Sequence, residues 1–349
     1  MGIKSISLSD EQATASWDAY VEAHPFSTPG HLTCWLKAIY KTYFFEPLLY
    51  VAQNDAGQIN GVFPLFKITS IITGTRVVSL PFSDYGGPLC DALETEAEMM
   101  RFVKNEHHRV RYFEIRGTLQ NSDGFLPYCY YKRHVLDLQQ GLPSLQKSID
   151  KKTILYSVRK AEKAGVSIKQ ENTRFGLNEF YRLNNLTRRK HGVPCQPRVF
   201  FENLFSCMIN GVHGLILCAL HDSDVIAASL FLMVAKKIHY KYSASDPLLL
   251  KKYSPNHLLT WHAINWGVEH GYQSLDFGRT SPDNEGLIRY KNMWGMKDLE
   301  LPYYYYPRVK GAVSTKESRL DFRVMTTLWR HLPLAMTETM SSVLFKQLA

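Results

Sequence analysis

The sequence predicts an α/β chain built from two similar domains, and three observations support this fold class. The chain has 349 residues, which is more than one hydrophobic core usually accommodates. Two segments, 48–66 and 215–233, repeat one pattern of apolar strand, polar turn and apolar strand. The second segment is followed by strand, loop, helix, glycine and strand, which is typical of a βαβ unit.

The repeated segments read LLYVAQNDAGQINGVFPLF and LILCALHDSDVIAASLFLM. At a constant offset Asp55 aligns with Asp222, and Leu65 aligns with Leu232. Apolar runs separated by Asn, Asp or Gly predict β-hairpins. Two hairpins at matching places in two halves indicate duplication of a whole domain, with chance similarity as the alternative.

The βαβ unit begins with a predicted strand at Lys237–Ser243 and a polar loop at 244–255. An amphipathic helix over Asn256–His270 follows, closed by Gly271, and Ser274–Phe277 is the next predicted strand. The loop that enters such a helix binds anions, because free backbone N–H groups and the helix dipole converge there.

Strand alternation predicts the directions of three side chains that can carry protons. His239 is expected on one face of its strand, with Tyr240 and Tyr242 on the other. Each of these residue types can act as a general acid or base. A lone strand histidine is more often structural, and we interpret His239 in that way.

The domain boundary is predicted within 139–150, where Gly and Pro precede a polar helix start. The predicted organisation is an N-terminal domain at 1–143, a C-terminal domain with the chemistry at 144–309, and a helical tail at 310–349. A Pro-, Asp- and Gly-rich segment, Leu80–Asp91, is predicted to be an ordered site loop.

The composition limits the possible binding partners and the cellular compartment of the protein. The net charge of +9 suggests an anionic partner such as phosphate, nucleic acid or a membrane surface, unless the charge is evenly spread. Six scattered cysteines without a C-x-x-C pair predict reduced thiols, and we expect no metal. The sequence lacks a signal-like apolar stretch and the apolar run 225–235 is too short to span a bilayer, so we expect a cytoplasmic protein.

Two charged segments are candidates for binding anions. In 150–169, Arg159 and Lys160 suit phosphate binding, although a solvated helix face is the alternative. In 276–295, Asp276 and Arg279 follow a strand, and a buried salt bridge that fixes the loop is the alternative for this pair. The H-E-x-x-H, G-x-S-x-G and Walker motifs do not occur, so metalloprotease, serine hydrolase and P-loop functions lack support.

Several motifs occur in an order that resembles a known family. They are P-F-S-D-Y-G-G (81–87), S-x-R-K-A-x-K-A-G (157–165), R-x-H-G-x-P (189–194), Y-x-Y-x-A-S-D-P (240–247), P-N-H-L-L-x-W (255–261), D-F-G-R (276–279), R-Y-K-x-x-W-G (289–295) and L-P-Y-Y-Y-Y (301–306). This series is similar to FemAB-related proteins of the GNAT superfamily. It most resembles the branch with a BioF-like acetyltransferase domain, which is associated with exopolysaccharide and PEP-CTERM protein-sorting loci.

The resemblance implies two tandem GNAT-like (acyl-CoA N-acyltransferase) domains, each with a mixed, mostly antiparallel sheet flanked by helices. It implies an enzyme that transfers an acyl or aminoacyl group directly to an amine or hydroxyl of a cell-envelope or exopolysaccharide precursor. The expected donor is acyl-CoA, favoured over aminoacyl-tRNA. The expected acceptor is a phosphorylated or lipid-linked saccharide, with peripheral contact at the inner face of the membrane and no DNA partner.

Candidate site residues follow from the motifs and the charged segments. Asp276, Asp84 and Tyr242 are the predicted catalytic residues. The predicted donor- or substrate-binding residues are Tyr85, Arg159, Lys160, Tyr240, Ser245, Lys251, Lys252, Asn256, Arg279, Arg289, Tyr290 and Lys291.

Two other function classes stay open. A non-catalytic GNAT-like protein that binds a phosphorylated glycan or lipid-linked precursor is favoured by Lys251–Asn256, which lacks the glycines of a pyrophosphate loop. A nucleic-acid-binding protein is suggested by the net charge, but the sequence has no interleaving of aromatic and basic residues of the kind that RNA-binding sheets carry.

Overall fold

A computed structural model describes residues 2–71, 74–307, 340–341 and 343–347. The chain divides into two compact units. The first contains the described residues up to 131 together with 300–307 and 344–347, and the second contains 132–299 with 340–341 and 343. The predicted bounds 1–143 and 144–309 stay a prediction. The predicted tail lies outside the described residues except for 340–341 and 343–347, which are helical.

The strands and helices are as follows. They are β1 Gly2–Ile6, α1 Glu11–Ala23, α2 Thr33–Tyr43, β2 Glu46–Gln53, β3 Ile59–Ser70, β4 Gly74–Ser79, β5 Leu89–Cys90, α3 Leu93–Glu106, β6 Tyr112–Arg116, β7 Leu126–Asp137, α4 Gly141–Ser148, α5 Tyr156–Lys163, β8 Ser167–Gln170, α6 Arg174–His191, α7 Arg198–Leu204, β9 Gly214–His221, β10 Asp224–Val234, β11 Lys237–Ser245, α8 Leu250–Tyr253, α9 Pro255–Glu269, β12 Ser274–Thr280, α10 Glu285–Asn292 and β13 Lys297–Tyr306. A π-helical turn, Lys151–Leu155, leads into α5.

The first unit contains a mixed sheet in the order β1-β2-β3-β4-β6-β13, and β5 pairs with β3. Neighbouring strands are antiparallel except β4 and β6, which are parallel. Helix α3 packs on this sheet through Met99, Met100 and Val103, which share a core with Phe63 and Val77.

The second unit contains a mixed sheet in the order β7-β12-β11-β10-β9-β8, with residues 132–137 of β7 belonging to it. Here β11 and β12 are the parallel pair. The helices α4, α5 and α9 share a core with one face of the sheet, for example Leu259 with Phe231. On the other face, Phe180 of α6 and Phe201 of α7 contact Tyr242 of β11.

The two units share one order of elements, because each has a hairpin, a third antiparallel strand, a helix and a parallel strand. The elements are β2-β3-β4-α3-β6 in the first unit and β9-β10-β11-α9-β12 in the second. Both predicted hairpins are confirmed. So are the mostly antiparallel mixed sheets flanked by helices. The common topology supports duplication over chance similarity.

Helix α9 lies close to β11 because its sequence provides a glycine at the contact. A Cβ atom on Gly267 would lie 2.8 Å from Ile238 Cδ1 and 2.9 Å from Leu138 Cδ1. Pro255 occupies the first turn, where its missing N–H costs no helical hydrogen bond. The helix ends before Gly271, whose φ of +71° suits a glycine, so the predicted helix and its stop signal are confirmed.

We expect Gly267→Val to destabilise the protein by about 2–3 kcal/mol, because the added methyl groups overpack a buried helix–strand contact. Gly286 of α10 is the matched control, since a Cβ there meets nothing within 4 Å. Gly286→Val should change the free energy of unfolding in urea by less than about 0.5 kcal/mol. Equal stabilities of the two variants would contradict this close packing of α9 on β11.

Candidate active site

The candidate site begins where β11 and β12 part. The two strands pair over three positions, from Lys237 with Ser274 to His239 with Asp276. Beyond His239, the described pairing of β11 is with β10, and that of β12 is with β7. Two parallel strands that diverge leave backbone N–H and C=O groups of both edges facing a gap.

A β-bulge on each strand accompanies the divergence. In β11, Phe231 pairs with Tyr240 and Leu230 with Tyr242, so Lys241 is an extra residue. In β12 the register shifts between Asp276 and Arg279, where Gly278 has a φ of +65°. A bulge bends its strand and increases its twist, which turns the strand ends away from each other.

The bulge at Lys241 overturns one prediction about side-chain direction. Tyr240 lies on the face of Phe231, where the rings stack with centroids 4.7 Å apart. Tyr242 lies on the opposite face with His239, since their partners Leu230 and Leu232 share a face. The prediction that Tyr240 and Tyr242 share a face was wrong, because simple alternation does not account for an extra residue.

Asp276 connects three strands at the point of divergence. Its carboxylate is 1% exposed, and Oδ1 accepts a hydrogen bond from the Gly278 N–H at 2.7 Å. Oδ2 accepts one from Arg133 Nε of β7 at 2.7 Å and lies 3.8 Å from His239 Nδ1 of β11. A charge-assisted bond to Arg133 compensates for the burial of the carboxylate. Asp276 thus forms a buried salt bridge with Arg133, whereas the alternative from the sequence had paired it with Arg279.

Lys291 of α10 stabilises the same bulge of β12 by donating hydrogen bonds to the backbone carbonyl groups of the bulge. The side chain is 5% exposed, and Nζ lies 2.6, 3.2 and 3.4 Å from the carbonyl oxygens of Phe277, Gly278 and Arg279. An ammonium has three N–H donors, which matches three acceptors. Three consecutive carbonyl groups converge on one atom in a segment that contains a glycine with positive φ.

His134 of β7 lies beside this ammonium and is fully buried. Burial, followed by the charge of Lys291, lowers its pKa to about 4. In the part of the chain that the structure describes, neither ring nitrogen has a hydrogen-bond partner. His134 is therefore a neutral ring at neutral pH and adds no second cation next to Lys291.

The start of α9 forms the other boundary of the site. The residue before the helix, Ser254, has a φ of +52° and makes no side-chain cap bond. Pro255 has no N–H and the His257 N–H donates to the Ser254 carbonyl at 3.2 Å, so the Asn256 N–H is the first-turn donor without a helical acceptor. Lys251 and Lys252 of α8 are exposed just before it, and Asn256 Nδ2 lies 3.5 Å from Ser245 Oγ at the end of β11. This corner combines cations with a helical N–H group, the two features that bind anions.

Other predicted site residues lie in the same unit. Tyr242 donates from its hydroxyl to Gln196 Oε1 at 2.6 Å, and the hydroxyl of Tyr240 lies 3.0 Å from Ser229 Oγ. The ring of Tyr290 lies 5.7 Å from that of His257, and burial raises the pKa of its phenol. Arg279, Arg289 and Arg159 are exposed, and Lys160 Nζ donates to the Lys251 carbonyl at 2.7 Å.

Asp84 and Tyr85 belong to the first unit, where their loop closes the equivalent gap. The carbonyl of Asp84 accepts a hydrogen bond from Tyr303. The Arg116 N–H at the end of β6 donates to Ser79 Oγ at 2.8 Å, and the Arg116 carbonyl accepts from the Gly86 N–H at 2.7 Å. The backbone groups beyond the parallel pair of this unit are thus bonded within the protein.

Comparisons with known proteins agree with this topology. Residues 150–292 match the family model of the acetyltransferase (GNAT) domain. The fold is similar to that of FemX, at 16% identity and a TM-score of 0.69 over 86% of this chain and 97% of that one. L-PGS from Bacillus licheniformis is similar at 14% identity, TM-score 0.57, over 90% and 95%. A tandem GNAT protein from the clavulanic acid biosynthesis pathway is similar at 11% identity, TM-score 0.53, over 90% and 99%. No curated protein matches the chain.

The second unit is thus a GNAT-type transferase domain. For the chain as a whole, the fold is similar to those of FemX and of a tandem GNAT protein. The predicted GNAT domain and fold class are confirmed, while membership of the FemAB-related and exopolysaccharide branches and the roles of the site residues stay predictions. Among the described residues, no helix combines the length and apolar character needed to cross a membrane.

We expect Lys291→Met to lower the free energy of unfolding by about 3 kcal/mol, because three buried carbonyl groups lose their donor. Lys297→Met is the matched control at an exposed position, and it should change stability by less than about 0.5 kcal/mol. Urea titration at pH 7.5 measures both. Equal unfolding midpoints for the two variants would show that the ammonium does not hold the bulge.

We expect His134 to make stability fall as the pH falls. Its folded pKa of about 4 lies below that of an exposed histidine, so the unfolded state takes up the proton first. The stability from this group is complete above pH 6.5 and decreases by about 3 kcal/mol between pH 6.5 and 4. Urea titrations across this range should show a smaller decrease for His134→Gln than for the wild type, with His270→Gln, at an exposed position, as control. Parallel curves for all three proteins would contradict the assignment.

Proposed function

We propose that the second unit transfers an acyl group from acyl-CoA directly to an amine or hydroxyl of a cell-envelope precursor. The observation that carries this proposal is the gap between β11 and β12. The gap begins at His239 and Asp276 and has the start of α9 nearby along the chain. It combines two diverging strands, a buried acid–histidine pair and a corner with exposed cations within one unit.

The strand edge of β11 beyond His239 supplies backbone groups for the donor. An extended amide-containing chain can add to such an edge through main-chain hydrogen bonds, as peptides do in β-augmentation. A backbone N–H of the same edge is placed to stabilise the charge that develops on the carbonyl oxygen under attack. Positioning of donor and acceptor then supplies much of the rate without a covalent enzyme intermediate.

The corner at α9 fits the phosphate groups of coenzyme A by the chemistry of its donors. Lys251 and Lys252 supply positive charge, and the first turn of α9 supplies the Asn256 N–H. Asn256 Oδ1 is buried there without a hydrogen-bond partner among the described residues, which suits a site completed by a ligand. The thioester supplies the activated acyl group.

We propose that Asp276 and His239 handle the proton of the acceptor. The sequence alone favours a structural role for His239, but its register position opposite Asp276 in the strand pairing supports the role proposed here. The Asp276 carboxylate stabilises the imidazolium that forms when His239 takes up a proton. Tyr242, on the same face and bonded to Gln196, is proposed to orient the acceptor or the oxyanion.

The exposed cations are proposed to hold anionic parts of the substrates. Arg279 and Arg289 would contact the donor or a phosphorylated acceptor, and Arg159 with Lys160 would bind a second anionic group. Lys291 is proposed to support these contacts by shaping the bulge, since its donors already meet carbonyl groups. Asp84 and Tyr85 belong to the first unit, and their predicted roles in catalysis and in substrate binding stay proposals.

The test begins with calorimetric titration of acetyl-CoA, followed by transfer assays with amino-sugar nucleotides such as UDP-glucosamine. We expect Lys251→Gln/Lys252→Gln to raise the KM for acetyl-CoA about 10-fold or more, at about 1 kcal/mol for each lost charge contact. His239→Gln should lower kcat about 100-fold with little change in KM, because general-base contributions are of that order. Arg279→Ala should reduce transfer and leave the unfolding midpoint unchanged.

Lys169→Gln/Lys236→Gln is the matched control, because both lysines are exposed and carry none of the proposed roles. Its KM and kcat should equal those of the wild type. Absence of acetyl-CoA binding would reject acyl-CoA as the donor. Tight binding of acetyl-CoA and acceptor with no transfer would instead support the non-catalytic binding protein.

A further inference from the structure

Positive charge is concentrated in two segments of the second unit. Residues 147–163 contain six basic and two acidic residues, and 246–253 contain two basic and one acidic. These segments therefore carry a net charge of +5, out of +9 for the whole chain. The structure brings them together, because Lys160 Nζ of α5 donates to the Lys251 carbonyl of α8 at 2.7 Å.

The cations of the first segment form a stripe on one side of α5 and the turn before it. Lys152, Tyr156, Arg159 and Lys163 are spaced by four, three and four residues, and all four are exposed. This spacing places side chains on one helical face. Lys151 precedes the stripe, and Lys251 and Lys252 lie beside it on α8. We call these six cations, with Tyr156 and the neighbouring Leu248, the basic surface.

The cations of the basic surface lack ion-pair partners in the part of the chain that the structure describes. Some exposed cations elsewhere are paired, as Lys169 is with Glu171 and Arg198 with Glu202. The carboxylates close in sequence do not neutralise the stripe. Asp150 is directed to the Thr153 N–H, while Glu162 and Asp246 form no salt bridge within the same described residues.

Two large apolar side chains lie among these charges. Leu248, in the turn before α8, is 87% exposed, and Tyr156, in the middle of the stripe, is 64% exposed. Tyr156 lies one helical turn before Lys160, which contacts α8. Uncompensated cations around exposed Leu and Tyr side chains form the pattern of a protein surface that lies in a membrane interface.

We infer that the basic surface docks the protein on the surface of an anionic lipid bilayer. Lys151, Lys152, Lys163 and Arg159 attract the lipid phosphates and leave Lys251 and Lys252 to the donor, while Leu248 and Tyr156 enter the boundary between headgroups and acyl chains. RNA would meet the same charges, but it gains little from an exposed leucine and binds best to several aromatic platforms, whereas one tyrosine lies here. The inference goes beyond transfer chemistry, and it places the active unit at the surface where a lipid-linked acceptor is found.

Vesicle sedimentation tests the inference without any substrate. The full-length protein is mixed with vesicles of phosphatidylcholine that contain 30% phosphatidylglycerol, or with pure phosphatidylcholine, in 0.1 M NaCl. We expect strong partitioning to the anionic vesicles alone, and release at 1 M NaCl, where the Debye length falls to about 3 Å. Lys152→Gln/Lys163→Gln should reduce the partition coefficient about 25-fold, at about five-fold for each cation. Leu248→Ser should reduce it at equal charge.

Lys169→Gln/Lys236→Gln removes the same charge outside the basic surface and should partition like the wild type. Calorimetric titration of acetyl-CoA should give one affinity for the wild type and the Lys152→Gln/Lys163→Gln variant, which separates docking from donor binding. Equal binding to both vesicle types would overturn the inference. It would also fall if the two double variants partition equally, or if transfer RNA binds while anionic vesicles do not.

Discussion

The buried ammonium of Lys291 and the buried carboxylate of Asp276 hold residues 276–279 of β12 through different backbone groups. Lys291 binds three carbonyl oxygens, and Asp276 binds the Gly278 N–H and, through Arg133, the neighbouring strand. An extended strand uses these groups to pair with its neighbours. The pairing of β12 with β7 is therefore interrupted at residues 277 and 278, whose groups are bonded to side chains, and it resumes at Arg279. The gap between β11 and β12 depends on this replacement of hydrogen bonds between strands by hydrogen bonds to side chains.

The two units show how one topology gives different chemistry. Each contains a parallel strand pair of three positions, and each pair is followed by a divergence. In the first unit, Ser79 Oγ and the Gly86 N–H bond to the backbone of Arg116, beyond the parallel pair of β4 and β6. In the second unit the loop after β11 leads to α8 and the uncapped start of α9. The same topology therefore ends in a loop bonded to β6 in the first unit and in a short helix that leads to α9 in the second unit.

Local signals in the sequence predicted the elements that local physics determines. Apolar runs around Asp and Gly turns predicted both hairpins, and apolar spacing with Gly271 predicted α9. The bulge at Lys241 was not predicted, because no special residue marks it, and simple alternation then assigned Tyr242 to the wrong face. The partner of Asp276 was not predicted either, since Arg133 lies 143 residues earlier in the chain. Pairings over such distances depend on strand order, which a single sequence leaves open.

The lysines of this chain show why a charge run cannot be interpreted before its burial is known. Lys291 and Lys163 look alike in the sequence, because each lies on a short helix two or three residues after another basic residue. Lys291 is desolvated, and a desolvated ammonium requires acceptors from the protein, so its donors are directed inward. Lys163 is exposed and stays hydrated, so its positive charge attracts anions that approach from solvent. Anionic ligands should therefore be sought at the exposed cations of α5 and α8, and the buried lysine should be understood as part of the scaffold that shapes the site.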